Sequence, residues 1–412
     1  MTVTAGPQDS AACPIAHPLD QDADGVNRPG LYKNERYHEI RETGTGVTEV
    51  IRVGGTRAKL VTRYDDVMQV LRDQQSFSRE RALDVDDVEL EGTLLGLDLD
   101  DHAAVRKVVR DRFTRQAVEG IRGRVEARAA AQLAVMTGRG EPADLIEAFA
   151  LPFALDVIGD ILGLPPEDRA QFRRWGEAFL ASSALSRQEA AASEQAMAGY
   201  LVGLIERRRR EPTGDLLSQI AADGTHLPFD RLIKLPIALL VGGWETTESS
   251  IGTYVQVLLT HPYGGYATAY RYLTDHPEAI PGAVSELERI FSTAAADDMP
   301  RRVVQDVVLP SGAALVAGDV VIPSHDAANH DPRVFPDPHR IDFGRTPNRH
   351  LAFGYGAHHC IGRHLGHMEV VTAITLLTRE LPELRLVVPV EEIPRRSGHA
   401  IRGPIELPVA WS

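Results

Sequence analysis

The chain contains very little cysteine: Cys13 and Cys360 are the only two among 412 residues. Two cysteines cannot form the disulfide framework of a small secreted protein, and Cys13 lies in a polar N-terminal stretch. Iron–sulfur clusters usually take four cysteine ligands, so they are excluded. The paired Cys and His spacings of a tetrahedral zinc site are also missing. We therefore expect a reducing, cytoplasmic location.

Long hydrophobic runs and an excess of positive charge are missing as well. The longest apolar run, Leu235–Gly243, is far too short to cross a bilayer and contains Pro236. The N-terminus lacks the apolar core of a secretory signal. The net charge of −14 argues against general nucleic-acid binding. We expect neither a membrane nor a nucleic acid among the partners of this protein.

Helical periodicity dominates the chain from His102 onwards, and residues 227–260 form the longest such segment. Apolar and polar residues alternate on both sides of Gly54-Gly55, which predicts a β-hairpin. Short runs bounded by Gly and Pro near the C-terminus predict further short strands. An acidic stretch, residues 79–101, is interpreted as a loop. The length alone would suggest two domains, but no linker or repeat divides the chain. We predict a mainly α fold, a large helical body with small peripheral β-sheets. It would be a single domain, 1–412, in which residues 1–45 are coil and a short helix.

The stretch FGYGAHHCIG, residues 353–362, places one cysteine among histidines and glycines. A nucleophilic Cys360 would need an activating base, which His358 or His359 could supply, but the glycines would then have no explanation. Haem iron is a metal centre that a single thiolate can hold.

The glycines and the residues after Cys360 also favour a haem site. Gly354 and Gly356 permit the tight backbone approach that a flat macrocycle demands. Ile361 and Gly362 open the following helix, so their N–H groups can point at the sulfur. Such donors at a helix N-terminus stabilise a thiolate.

This stretch resembles the haem loop of the cytochrome P450 family, Phe-Gly-x-Gly-x-His/Arg-x-Cys-x-Gly. The resemblance implies the cytochrome P450 fold and a haem b cofactor, iron protoporphyrin IX, with Cys360 as the metal ligand. A haem iron held by thiolate favours cleavage of the O–O bond. The resemblance assigns these further loop residues to cofactor binding: Phe353, Gly354, His358, Ile361 and Gly362.

Two other segments match the family pattern. Glu286 and Arg289 correspond to its Glu-x-x-Arg pair, which implies a buried structural ion pair. The stretch GGWETT, residues 242–247, contains Glu245 and Thr246, which match the acid–alcohol pair and are assigned as catalytic proton-relay residues.

Glycines within a helix each cost about 1 kcal/mol relative to alanine, which suggests that Gly242 and Gly243 leave room for dioxygen and substrate. Ala238, Gly242 and Thr246 share one helix face, whereas Trp244 falls on another and is predicted to pack in the core. The residues assigned to substrate binding are Ala238, Val241 and Gly242, and Gly242 is also assigned to the haem site.

Cations from distant segments match the family's contacts to the haem propionates. His102 and Arg106 are spaced i and i+4, so both can face one anion. The resemblance adds Arg301 and His358, with Arg302 as a competitor for the role of Arg301. Two buried carboxylates require such charge-assisted hydrogen bonds.

The function implied is a monooxygenase that uses O2 to oxidise a small organic molecule, by hydroxylation or by oxidative C–C or C–N coupling. A tailoring step in secondary-metabolite biosynthesis fits the composition. The chain carries no reductase segment, so we expect a ferredoxin or similar electron donor. A basic patch from the run 106–115, with Arg363, would attract an acidic donor. Its cations besides Arg106 are Lys107, Arg110, Arg112 and Arg115.

Two alternatives stay open at this point. The first is a peroxide-driven or non-oxygenase haem-thiolate enzyme, which the intact Glu245-Thr246 pair disfavours. The second is a haem sensor or carrier without catalysis.

Overall fold

The computed structural model describes residues 15–16, 35–52, 55–83, 90–180, 187–293, 299–396 and 401–412. Gly54, in the turn of the predicted hairpin, lies outside the described residues, as do positions 84–89 of the acidic stretch. Much of the 1–45 segment also lies outside them. Its described part contains the expected short helix and, in addition, a two-residue strand.

Helices make up most of the described chain, which confirms the predicted fold class. They are α1 (Glu35–Glu42), α2 (Tyr64–Arg72), α3 (Leu99–Val109), α4 (Arg115–Glu119), α5 (Arg122–Arg139), α6 (Leu151–Leu162), α7 (Arg169–Leu180), α8 (Arg187–Arg210), α9 (Leu216–Asp223), α10 (Phe229–Thr260), α11 (Ala269–Asp275), α12 (Ile280–Ile290), α13 (His325–Asn329) and α14 (Arg363–Glu380). In the part that the structure describes, no helix is long and apolar enough to cross a membrane.

The strands are short and form small sheets beside the helices. They are β1 (Ile15–Ala16), β2 (Val47–Ile51), β3 (Arg57–Val61), β4 (Phe77–Ser78), β5 (Ala143–Asp144), β6 (Arg301–Val303), β7 (Val307–Val308), β8 (Ala314–Leu315), β9 (Val320–Pro323), β10 (Arg385–Leu386) and β11 (Pro408–Ala410). One sheet has the order β1-β2-β3-β9-β6-β4, a second β10-β11-β5 and a third β7-β8. The antiparallel β2–β3 pair is the hairpin predicted around Gly54-Gly55.

The long helix α10 runs through the main hydrophobic core and contains Pro236 without ending there. It packs against α6, where a Cβ added to Gly243 would lie 2.7 Å from Cγ1 of Ile158. The interpretation of Gly243 as room for ligands is therefore wrong, because this glycine serves helix packing. Trp244 is 2% exposed and lies in the core, as predicted.

Glu286 and Arg289 of α12 form an ion pair whose side chains are both 0% exposed. Arg289 Nη1 also donates to the carbonyl oxygens of Asn329 and Pro338, at 2.8 Å each. Glu286 accepts a further hydrogen bond from Arg345 Nε at 3.0 Å. The pair therefore ties α12 to the long segment between α13 and the cysteine loop.

Substitution of Arg289 by methionine should destabilise the protein far more than loss of a surface ion pair. The substitution removes the positive charge that pairs with Glu286 on the same helix inside the core. Breaking a buried ion pair costs about 3–5 kcal/mol. The matched control is Arg271→Met, because Arg271 pairs with Glu383 at the surface, where such pairs contribute about 0–1 kcal/mol. Urea unfolding of the haem-loaded proteins measures both changes, and equal losses would contradict a structural role for the buried pair.

Candidate haem site

The loop that carries Cys360 is folded by its own backbone. The N–H of Cys360 donates to the carbonyl of Phe353 at 2.8 Å, and the N–H of Gly354 donates to that of Leu351 at 2.8 Å. Gly354 and Gly356 have φ angles of +69° and +75°, which lie in the left-handed region that favours glycine. The backbone conformation of the loop therefore requires glycine at these two positions.

Gly356 has a second reason to lack a side chain. A Cβ at this position would lie 2.6 Å from the carbonyl oxygen of Leu71, at the end of α2. The expectation that Gly356 admits a flat macrocycle thus receives no support, because its close neighbour is the protein backbone.

Cys360 is accessible to solvent. Burial raises the pKa of its thiol, whereas a hydrogen bond from the N–H of Gly362 and the positive charge of Arg106 lower it. The charge and the N–H of Arg363 also lower this pKa. The donors are therefore Gly362 and Arg363, where the sequence indicated Ile361 and Gly362.

His102 and His358 come together beside this loop, with ring centroids 4.3 Å apart. Burial, together with the charges of His358 and Arg106, lowers the pKa of His102 to about 3. Among the described residues, Nε2 of His102 has no hydrogen-bond partner. Arg106 Nη2 donates to the carbonyl of His359 at 2.6 Å, so α3 contacts the cysteine loop directly.

Arg301 completes this group, and the strand geometry decides between it and Arg302. Arg301 is 5% exposed, and burial together with the charge of Arg79 lowers its pKa to about 9. The neighbouring Arg302 projects from the other face of β6 and donates to Arg81 O at 3.0 Å and Gly318 O at 3.2 Å. The inward residue is therefore Arg301.

Sequence reasoning missed two members of this group, Arg79 and Asp98. Arg79 is fully buried. Its charge is the second cause, besides burial of Arg301 itself, that lowers the pKa of Arg301. Asp98 accepts hydrogen bonds from Ser78 Oγ at 2.6 Å and from the N–H of Arg79 at 3.1 Å, and lies 3.6 Å from His358 Nε2. Both residues lie in the stretch interpreted as an acidic loop, which offers no local signal for a buried ion cluster.

On α10, Gly242 faces open space, since a Cβ at this position would meet no atom within 4 Å. The half-buried Thr246 lies one turn later, and its Oγ1 donates to Gly242 O at 2.8 Å. Ala238 is also half-buried, whereas Val241 is 7% exposed and packs in the main core. Glu245 is 8% exposed and borders this face. The grouping of Ala238, Gly242 and Thr246 agrees with the helical spacing.

Comparison with known proteins identifies the family. The mycinamicin IV hydroxylase/epoxidase of Micromonospora griseorubida is 39% identical to this chain, over 98% of this chain and 100% of that protein. This chain belongs to the cytochrome P450 family. The family model described as Cytochrome P450 matches residues 282–393.

Two further proteins are similar over most of this chain. The nocardicin C N-oxygenase of Nocardia uniformis subsp. tsuyamanensis is 38% identical over 85% of this chain and 89% of its own length. The crystal structure of the LnmA cytochrome P450 hydroxylase, from the leinamycin pathway of Streptomyces atroolivaceus, superimposes with a TM-score of 0.87. It is 35% identical and covers 96% of this chain and 100% of that one. The chain is therefore a cytochrome P450 monooxygenase with a haem cofactor, and the alternative of a non-catalytic sensor or carrier is set aside.

The residues present suit a haem. Cys360 is an accessible cysteine with nearby N–H donors, which is what an iron ligand requires. The buried cations and the unpartnered Nε2 of His102 form a donor set for a buried group with two carboxylates. The residues that would surround those carboxylates are His102, Arg106, Arg301 and His358.

Substitution of Arg301 by glutamine should weaken haem retention, whereas Arg302→Gln should not. Arg301 would lose a charge-assisted contact inside the protein, and such a contact contributes about 1.5–3 kcal/mol. The ratio of haem to protein after gel filtration measures retention. The adjacent Arg302→Gln variant controls for the loss of one positive charge on β6, and equal haem loss in the two variants would contradict the assignment.

Proposed function

We propose that this cytochrome P450 inserts oxygen into, or oxidatively couples, a small organic molecule of secondary metabolism. The supporting relatives act on mycinamicin IV and nocardicin C, or serve leinamycin biosynthesis. The observation that carries the proposal is the pairing of Thr246 with the open space at Gly242, next to the buried Glu245. A substrate and dioxygen would occupy this space.

The chain's own residues would supply protons and hold the cofactor. When bound, haem supplies the activation of dioxygen and the transfer of oxygen to the substrate. The Thr246 hydroxyl donates a hydrogen bond to Gly242 O, and its oxygen can accept a hydrogen bond from a neighbouring donor. The Glu245 carboxyl would take up protons and pass them toward Thr246, directly or through one water. Cys360 would stay a thiolate through the N–H groups of Gly362 and Arg363.

A peroxide-driven or non-oxygenase enzyme receives less support. Such an enzyme needs no route for protons to dioxygen, whereas here a buried acid and a half-buried alcohol lie in sequence on one helix. We therefore favour dioxygen as the oxidant.

The Thr246→Ala variant should keep its haem but send a larger share of NADPH-derived electrons into hydrogen peroxide. Glu245→Gln should slow turnover by about 10²-fold or more, because a positioned acid contributes roughly 10²–10⁴-fold. The matched control is Thr247→Ala, because Thr247 Oγ1 makes the equivalent hydrogen bond to Gly243 O at 3.1 Å but is 5% exposed. Peroxide and NADPH assays measure the outcome. Unchanged peroxide yield in Thr246→Ala and unchanged rate in Glu245→Gln would remove the relay.

We further propose that an acidic ferredoxin-like donor binds near Arg115 and Arg363. Both residues are exposed. Burial lowers the pKa of His364, and the charges of Arg363 and Arg115 also lower it. Because both arginines influence the same histidine, they lie on one surface. Arg363 also lowers the pKa of Cys360, which supports a donor surface near the cysteine that we propose as the iron ligand. Arg112 is held toward α9, because it donates to Gln219 Oε1 at 2.7 Å and to Gly214 O at 2.9 Å. We therefore leave Arg112 out of the donor surface.

Charge reversal of Arg115 and Arg363 together should slow the first reduction by spinach ferredoxin at low salt about tenfold, because opposite charges steer association. The control is Arg57→Glu with Arg271→Glu, which changes the net charge equally on other surfaces. The difference should shrink as salt rises, since screening acts over about 10 Å at 0.1 M. Stopped-flow absorbance measures the rates, and equal slowing in both double variants would contradict a local donor surface.

A further inference from the structure

A C-terminal hairpin, residues 394–396 and 402–405, lies against α10 near Glu245. Arg395 and Pro404 form an antiparallel bridge. The N–H of Arg396 donates to Gly403 O at 3.1 Å, and the N–H of Ile405 donates to Pro394 O at 2.8 Å. The hairpin is thus held together by its own backbone.

The hairpin and α10 are in direct contact. A Cβ on Gly403 would lie 3.0 Å from both Cβ and Oγ of Ser249. One turn further along the helix, a Cβ on Gly252 would lie 3.0 Å from Cγ of Pro404. Arg395 Nη2 donates to Gln256 Oε1 at 2.8 Å, which adds a polar contact. The hairpin is therefore a fixed neighbour of this face of α10.

Arg396 projects from the hairpin onto two acidic residues of α10. Its Nη2 donates to Glu248 Oε1 at 2.8 Å, and its Nη1 donates to Ser249 Oγ. Nη1 also lies 3.7 Å from Glu245 Oε1, which is within ion-pair range but too long for a hydrogen bond. The side chains of Arg396, Glu248 and Glu245 are 16%, 1% and 10% exposed. The guanidinium of Arg396 is therefore hydrogen-bonded to the carboxylate of Glu248 and lies within ion-pair range of that of Glu245.

This unequal sharing has a chemical consequence. A guanidinium is a planar fork with several donors, so it can keep one carboxylate while another moves. Glu248 and Ser249 hold Arg396 in place whether or not Glu245 turns. A positive charge within about 4–6 Å favours the ionised form of a carboxyl group. Arg396 can thus attract the Glu245 carboxyl group while it stays bound to Glu248.

We propose that Arg396 is a positioning residue for Glu245. It holds the Glu245 carboxylate at a defined starting position on the hairpin side of α10, from which this group takes up protons and passes them toward Thr246. Glu248 anchors Arg396 in that task. The proposal rests on the relay role proposed above for Glu245.

The test compares Arg396→Gln with Arg396→Lys, and uses Arg395→Gln as the matched control. Arg395 belongs to the same hairpin and also contacts α10, but it binds Gln256, three turns beyond Glu245. NADPH consumption is measured under air on the haem-loaded proteins, with spinach ferredoxin and its reductase, in H2O and in D2O. Arg396→Gln should slow consumption about fivefold or more and change the solvent isotope effect, as expected for impaired proton transfer. Arg396→Lys should recover most of the rate, and Arg395→Gln should stay within about twofold of the parent.

A second readout does not depend on activity. The unfolding temperatures of Arg396→Gln, Glu245→Gln and the double variant form a double-mutant cycle. If the two side chains interact, the double variant should lose less than the sum of the two single losses. In the kinetic assay, the double variant should be no slower than Glu245→Gln alone.

The possible failures are distinguishable. A parent-like rate in Arg396→Gln, with a slow Glu245→Gln, would overturn the positioning role and leave the relay intact. Equal slowing in Arg396→Gln and Arg395→Gln, no rescue by lysine, or strict additivity in the cycle would also overturn it, because Arg396 would then be a structural contact only. Parent-like rates in Glu245→Gln would show that the relay itself is wrong, and the positioning proposal would fall with it.

Discussion

The buried ion pair between Glu286 and Arg289 is connected by hydrogen bonds to the loop that carries Cys360. Both side chains are withdrawn from water, so each must have its partner, and this requirement leaves little freedom to the segments around them. Arg289 donates to the carbonyl oxygen of Asn329, and Asn329 Oδ1 accepts a hydrogen bond from the N–H of Leu351 at 2.6 Å. The carbonyl oxygen of Leu351 in turn accepts a hydrogen bond from the N–H of Gly354 in the cysteine loop. A series of hydrogen bonds thus runs from α12 to the loop that carries Cys360.

The second constraint is charge. The fold brings several arginines together beside the cysteine loop, and Asp98 lies among them. Burial lowers the pKa values of Arg301 and His102. Asp98 supplies one negative charge to this group, and haem would add two carboxylates. Arg106 contacts the loop backbone, and its charge lowers the pKa of Cys360. Helix α3 would therefore serve both the haem carboxylates and the thiolate that we propose as the iron ligand.

Helix α10 gives each of its faces a separate task. Gly242 and Thr246 border open space, while the neighbouring Gly243 allows close packing on α6. A third face carries Glu248 and meets the C-terminal hairpin through Arg396. Since successive residues turn by about 100°, the seven positions 242–248 can supply a border of open space, a packing surface and an acidic contact. The acid Glu245 lies between these surfaces, which is where a group that moves protons would be useful.

The sequence by itself determined the helical body, the glycine-rich loop around Cys360, the Glu286–Arg289 pair and the face shared by Ala238, Gly242 and Thr246. Each of these depends on periodicity or on a motif within about ten residues, so local patterns are enough. Only the tertiary structure decided that Asp98 joins the buried cations, that Gly243 and Gly356 serve packing, and that Arg396 binds an acid 148 positions away. Contacts of that kind depend on how distant segments pack, and no local pattern of residues encodes that packing.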